Sequence, residues 1–218
     1  MSASSTNIRI RLATPQDAAA LVSIKAPYVQ DTAYNFAWAP PTEKEFAAEV
    51  RQVLERYPFL VAESVPSESA VATTPAAGTS DETADDTKGE AAHADMLPRI
   101  IGYAQAEPVR HRESDQWAVE LTIYLARAAR GHGVGTLLYQ RLLDLLRKQG
   151  VLDAYACITA ENTVSIAFHE RMGFEEVGRF PHAGFKLGAW HDTVWMHKSL
   201  GEHRCPPQPF TPFAELEA

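Results

Sequence analysis

The chain has 218 residues, 45% of them hydrophobic, and a formal net charge of −8. That length suffices for one domain with a sizeable core, and two cysteines, Cys157 and Cys205, exclude a disulfide-stapled scaffold. Residues 65–98 hold seven acids against one base, Lys88, so −6 of the charge is local and the near-neutral remainder gives no support to nucleic-acid binding. No run approaches the ~20 apolar residues of a membrane span, and the first residues lack the basic and apolar blocks of a signal peptide, so no membrane contact and a cytoplasmic location are expected.

In chain order, Ile8-Arg9-Ile10-Arg11-Leu12 alternates and predicts a first strand. Thr14-Pro15-Gln16-Asp17 is a helix start, with a threonine cap, proline in the first turn and an acid three residues after the cap. The helix is expected to run to about Pro27. Thr42-Glu43-Lys44-Glu45 opens a second helix that ends before Pro58. Residues 31–41 between them form a loop carrying Tyr34, Phe36 and Trp38, expected to pack on the core in preference to lining a substrate pocket. Residues 59–63 and 100–107 read as the strands of a hairpin. The intervening residues 65–98 are rich in Ala, Ser, Thr, Pro and acid, and are expected to be a disordered insertion.

Residues 118–125 form the fourth long strand. A helix over 137–149 follows, with Leu138, Leu142, Leu145 and Leu146 on one stripe and Gly150 as its stop. A fifth strand is expected at 151–158, a helix at 162–172 stopped by Gly173, and two more strands near 174–178 and 192–196. Residues 201–218 are proline-rich and expected to be an extended tail behind a domain of residues 1–200.

The chemistry concentrates between the fourth strand and its helix. Arg130-Gly131-His132-Gly133-Val134-Gly135-Thr136 is a glycine-rich turn entering a helix, which leaves backbone N–H groups unpaired and pointing one way, an anion cradle reinforced by the helix dipole. It lacks the spacing of a dinucleotide fingerprint and the lysine of a P-loop. Glu120 stands in mid-strand, where desolvating a carboxylate is costly, so it is either ion-paired, solvated or functional.

The pattern of Arg130, Gly133 and Gly135 resembles the coenzyme A pyrophosphate loop of the GNAT N-acetyltransferase superfamily. The stretch from Asn162 through Ser165, Phe168, His169 and Arg171 to Gly173-Phe174 resembles a second motif of that superfamily. Three further segments, at 57–63, 117–125 and 184–192, resemble phosphinothricin N-acetyltransferases and the related enzymes that acetylate methionine sulfone and sulfoximine. The similarity runs over roughly residues 8–200 apart from 65–98.

The resemblance implies an α/β fold with a mixed sheet of about seven strands, splayed between strands 4 and 5 and flanked by about four helices. It implies acetyl-CoA as co-substrate, no metal, a small amine acceptor of the amino-acid type, and a homodimer. Glu120 would be the general base and His169 the acid that protonates the leaving thiolate. Coenzyme contacts would fall on Ile123, Tyr124, Leu125, Arg130, Gly131, His132, Gly133, Val134, Gly135, Thr136, Asn162 and Ser165. Arg110 and Arg112 would grip an acidic group of the substrate, with Asn35 and Phe36 helping to close the pocket. Asp115 departs from the tyrosine expected near there and would repel an anionic substrate. A peptide, polyamine or aminoglycoside acceptor is the alternative, and a non-catalytic acyl-CoA sensor a second one.

Overall fold

The computed structural model describes residues 7–65 and 99–216; the stretch expected to be a disordered insertion lies outside them, apart from Val65. Seven strands make one sheet. Strand β1 (Asn7–Leu12) pairs with β2 (Phe59–Val65), β2 with β3 (Arg99–Pro108) and β3 with β4 (Ala118–Leu125), all antiparallel. Strand β4 meets β5 (Asp153–Thr159) in parallel, and β5 continues through β7 (Ala189–Ser199) to β6 (Glu175–Lys186) at the edge. Val65, assigned in the sequence to the insertion, closes β2 opposite Asn7.

Side-chain alternation divides the sheet between two helical layers. Tyr103 and Phe59 meet Phe46 of α2 (Glu43–Arg56), while the long α3 (Val134–Lys148) packs on the other face of β1–β4. All four predicted leucines of α3 are buried. The helix begins at Val134, three residues earlier than expected, because Gly133 in a left-handed conformation lets the chain turn directly into helical geometry. Helix α1 (Ala18–Asp31) starts from a short 3-10 turn at Pro15–Asp17, and both capping boxes form as the sequence predicts.

Three elements differ from expectation. Helix α1 runs through Pro27 instead of ending there. The hydrogen bond that proline removes belongs to the carbonyl of exposed Ser23, and the following turn is fixed by buried Val29 and by the Tyr28 hydroxyl donating to Leu125 O at 2.5 Å. Strands β6 and β7 are twice as long as predicted and join in a hairpin at Leu187-Gly188. Gly178, Pro181 and Gly184 break the alternation, and the register shifts between Phe180 and Gly184. The tail folds back: Thr211 N–H donates to Gln149 O, Gln149 Nε2 donates to Thr211 O, and Phe213 in a one-turn helix α5 (Phe213–Leu216) is buried. Helix α4 (Thr163–Arg171) lies where expected.

Two strands and the turn leading into α1 are tied by two carboxylates, Glu63 and Asp17, through Arg11. Glu63 on β2 accepts from Arg9 and Arg11 on β1 at 2.6–2.8 Å, and Arg11 makes a second, bidentate pair with Asp17. Burial alone would raise the Glu63 carboxyl, but the two guanidinium groups outweigh it and hold it below the usual range. A depressed carboxylate stabilises the fold above its unfolded pKa and loses that contribution as pH falls through the folded value. Glu63→Gln should therefore cost about 1–2 kcal/mol at pH 7, with a gap from wild type that narrows on acidification below pH ~4.5. Urea unfolding at pH 7 and pH 3.5 checks this; an unchanging gap would deny the ion pairs their role.

Candidate active site

Strands β4 and β5 pair only at Ala118, Val119 and Glu120, opposite Asp153, Ala154 and Tyr155. Beyond Glu120 they part. In the β3–β4 ladder Ala126 N–H donates to Ile101 O, so by antiparallel alternation residues 121, 123 and 125 turn their backbone groups away from β3 and into the gap. The Leu125 carbonyl is taken by Tyr28, which leaves its N–H facing the opening.

The glycine loop lies at the far end of that gap. Gly131 and Gly133 both have φ +79°, and a Cβ on either would meet nothing within 4 Å, so glycine is required there for backbone conformation and not for space. Gly133 caps α3 without a side chain, so the first N–H groups of the helix stay free for an anion. Gly135 differs: its Cβ would touch the Phe168 ring at 3.3 Å and Ile123 and Leu125 at 3.5 Å, so it is small because helix packs on strand.

A cavity of about 320 Å³ runs from this loop along the gap. Of the twelve residues expected to hold coenzyme, ten line it; Tyr124 and His132 do not. The Tyr124 side chain points to the α1–α2 face, stacks on Tyr103 and accepts from Asn35 Nδ2 at 2.8 Å, and His132 is exposed. Tyr28, Tyr34, Phe168 and Arg171 also line the cavity. The Arg130 guanidinium lies 5.0 Å from the Tyr28 ring centre. Tyr34 thus faces the cavity, against the expectation of core packing, while Trp38 is exposed. Arg171 carries a motif signal; Tyr28 has none, since a tyrosine late in an amphipathic helix reads as core.

A smaller cavity of about 90 Å³ shares Tyr28, Tyr34, Ile123, Asn162 and Ser165 with the first and reaches Glu120, Tyr139 and His169. Glu120 and His169, 49 positions apart in sequence, are therefore brought to one space. Burial raises the Glu120 carboxyl above its usual value, and the like charge of Glu107 adds to it. His169 is buried, with Nδ1 2.8 Å from the Ser165 carbonyl and Nε2 2.8 Å from the Tyr139 hydroxyl. A carbonyl only accepts, so Nδ1 carries the proton and Nε2 accepts from Tyr139. Burial lowers the His169 pKa, which the Ser165 carbonyl partly offsets, so the ring is neutral at pH 7. Asn162 Oδ1 accepts from Ser165 N–H and caps α4.

The expected substrate residues scatter. Arg110 lines a broad open cavity of about 830 Å³ beside Trp117, Ala118, Tyr155 and Trp195, and Asp115 lies in the same wall with one carboxylate oxygen buried and without a partner. Arg112 is exposed and lines none of these three cavities. A loop between strands leaves no sequence signal of which of two nearby arginines turns inward. Phe36 packs against Gly184, where a Cβ would lie 2.5 Å from its ring, and thereby pins the 32–41 loop to the β6–β7 hairpin. The same loop is held by buried Lys186, whose ammonium donates to Val29 O and Asn35 O. Those carbonyls, one at the C-terminal end of α1, compensate a cation that burial would discharge.

The model of the acetyltransferase (GNAT) family matches residues 37–174. The chain belongs to that family. It is 30% identical over 209 residues to a phosphinothricin N-acetyltransferase from Streptomyces viridochromogenes, covering 96% of each chain. It is 35% identical over 113 residues to an L-methionine sulfoximine/L-methionine sulfone acetyltransferase from Pseudomonas aeruginosa, covering 52% of this chain and 66% of that one. Among solved structures, a phosphinothricin acetyltransferase from Sinorhizobium meliloti in complex with acetyl-CoA superposes with a TM-score of 0.73 at 28% identity, covering 94% of this acetyltransferase and 96% of that chain. The sequence resemblance and the expected α/β sheet with its splay after strand 4 are both borne out.

Alanine at Gly133 would strain the left-handed turn by about 1 kcal/mol without a clash. Gly133→Ala should weaken coenzyme A binding roughly five-fold. Calorimetric titration with coenzyme A checks it, and an unchanged Kd would mean the loop does not need that conformation to bind.

Proposed function

We propose that this acetyltransferase moves the acetyl group of acetyl-CoA onto the primary amine of a small amino-acid-like acceptor. The observation that carries the reading is the continuity of two cavities: a long one between the free N–H groups of α3 and the splayed edge of β4, and a short one at its end that holds Glu120. Arg130 and Arg171 suit a pyrophosphate at the mouth of the first. The substrates named for the relatives, phosphinothricin and methionine sulfone or sulfoximine, support an amino-acid acceptor. Arg110 remains the cation proposed to meet its acidic group.

Acetyl-CoA supplies an acetyl thioester, and the side chains move protons around it. Glu120 takes the proton from the substrate ammonium, directly or through one water, and frees the nitrogen to attack the thioester carbonyl. The Leu125 N–H, turned into the gap, stabilises the oxyanion. His169 is the acid for the departing thiolate. The resting ring is neutral and Nε2 accepts from Tyr139, so the proton that the attacking nitrogen loses as the amide forms must first reach this pair; Nε2 then donates to the hydroxyl oxygen while the hydroxyl proton passes to sulfur. Acetyl-CoA chemistry fits a cytoplasmic enzyme. A homodimer is supported by the apolar side chains exposed on the β6–β7 hairpin, Val177, Phe180, Phe185, Leu187 and Trp190.

Thiol release from acetyl-CoA across phosphinothricin, methionine sulfone, methionine sulfoximine, ordinary amino acids, polyamines and short peptides tests the acceptor class. Turnover confined to polyamines or peptides would refute the amino-acid reading. Glu120→Gln should lower kcat by roughly 10²–10⁴ with little change in coenzyme affinity. Tyr139→Phe should also lower kcat at unchanged coenzyme affinity, and full activity there would leave His169 without a route to the thiolate. Light scattering should give twice the monomer mass; a monomer at micromolar concentration would remove the dimer.

A further inference from the structure

Glu107 on β3 stands directly opposite Glu120 on β4 in the antiparallel register. Residues paired in this way send their side chains to the same face, with Cβ atoms ~4.5–5.5 Å apart, and like charges so placed destabilise a sheet. The arrangement is built, not accidental. Gln105, buried two residues earlier on the same strand, donates from Nε2 to Glu107 Oε1 at 2.7 Å and to Glu49 Oε1 of α2 at 2.9 Å. Its own Oε1 is left buried without a partner. Turning the amide over would aim that oxygen at two carboxylates, so the orphan is the consequence of holding them.

We propose that Glu107 is a positioning residue for the reaction, its carboxylate keeping Glu120 a strong enough base to take the substrate proton at neutral pH. The inference rests on Glu120 being the base. A carboxylate of ordinary strength is a poor match for an alkyl ammonium, and catalytic bases work best when their pKa lies near the operating pH. Burial raises Glu120 first, and the Glu107 charge raises it further. Glu107 must then ionise before its neighbour, and its surroundings favour that order. Burial and Glu49 raise its carboxyl too, but Lys25 of α1 and His111 oppose that rise and Gln105 donates to it, partners that Glu120 lacks among the described residues. The remaining titratable groups around the Glu120 cavity are Tyr28 and Tyr34 from the α1 side, Tyr124 of β4, Tyr139 of α3, Cys157 of β5 and His169 of α4. Burial keeps the Tyr124 and Tyr139 phenols and the Cys157 thiol protonated at pH 7, and His169 is neutral, so Glu107 is the charge that bears on the base.

Glu107→Gln keeps the acceptor for Gln105 and deletes the charge. The test is the pH profile of kcat/KM for the full chain with acetyl-CoA and L-methionine sulfone, alongside Glu120→Gln. The acid limb, where activity falls as Glu120 protonates, should move to lower pH in Glu107→Gln. One unit below the wild-type midpoint, the variant should keep roughly two-fold or more of the wild-type fraction of its own plateau. In 1 M salt the wild-type limb should move toward that of the variant, because the Glu107 side chain, partly desolvated against the sheet, still reaches solvent and its field is screened. Relief of the like-charge pair should leave the melting temperature of Glu107→Gln equal or higher, whereas a purely structural glutamate would lower it and leave the limb in place. A limb unmoved in Glu107→Gln but lost in Glu120→Gln overturns the role of Glu107 alone. A limb that persists at its wild-type position in Glu120→Gln removes Glu120 as base, and the inference with it.

Discussion

The site depends on a strand pairing that stops after three residues. Had β5 followed β4 to its end, Leu121, Ile123 and Leu125 would have spent their backbone groups on a ladder, and no wedge would separate the strands. Because pairing ends at Glu120 and Tyr155, the edge of β4 stays available to a ligand. The gap also brings the N-terminus of α3 and the capped start of α4 to its two sides. Glu120 occupies the apex of the wedge, the last residue that the sheet still holds on both flanks.

Charge in the apex is handled by burial and by neighbours of both signs. Glu63 on β2 shows the ordinary solution, a buried carboxylate neutralised by two arginines and held ionised. Glu120 has no such partner among the described residues, and Glu107 opposes it. Two glutamates of one sheet thus have opposite destinies because of what lies across the ladder from each: arginines for one, a carboxylate for the other. His169 illustrates the same economy, since a ring with both nitrogens engaged and aromatic walls is neutral and fixed in one tautomer.

Most of the helix starts, the apolar stripe of α3, the fourth strand and the two coenzyme motifs were legible because each is a local pattern: a cap and its partner three residues on, leucines at helical spacing, glycines where φ is positive. The β6–β7 hairpin was half legible, since a bulge at Phe180–Gly184 breaks the two-residue period on which strand prediction rests. The tail was misjudged because prolines read as extended chain, whereas one phenylalanine, Phe213, found a place in the core. That Arg112 lies outside the three cavities and Phe36 packs on Gly184 was illegible for a different reason. Proximity along a loop says nothing about which side chain turns toward a cleft.

The sequence by itself determined the family, the order of the elements, the glycine-rich turn into α3 and the identity of the mid-strand glutamate, because spacing along one strand or helix fixes direction. Only the tertiary structure decided that Tyr28 and Tyr34 join Arg171 in the cavity beside the glycine loop, that Tyr139 donates to His169, and that Glu107 faces Glu120. Those relations join residues from 13 to more than 130 positions apart. They depend on strand register and on the angle at which helices cross the sheet, which short-range patterns leave open.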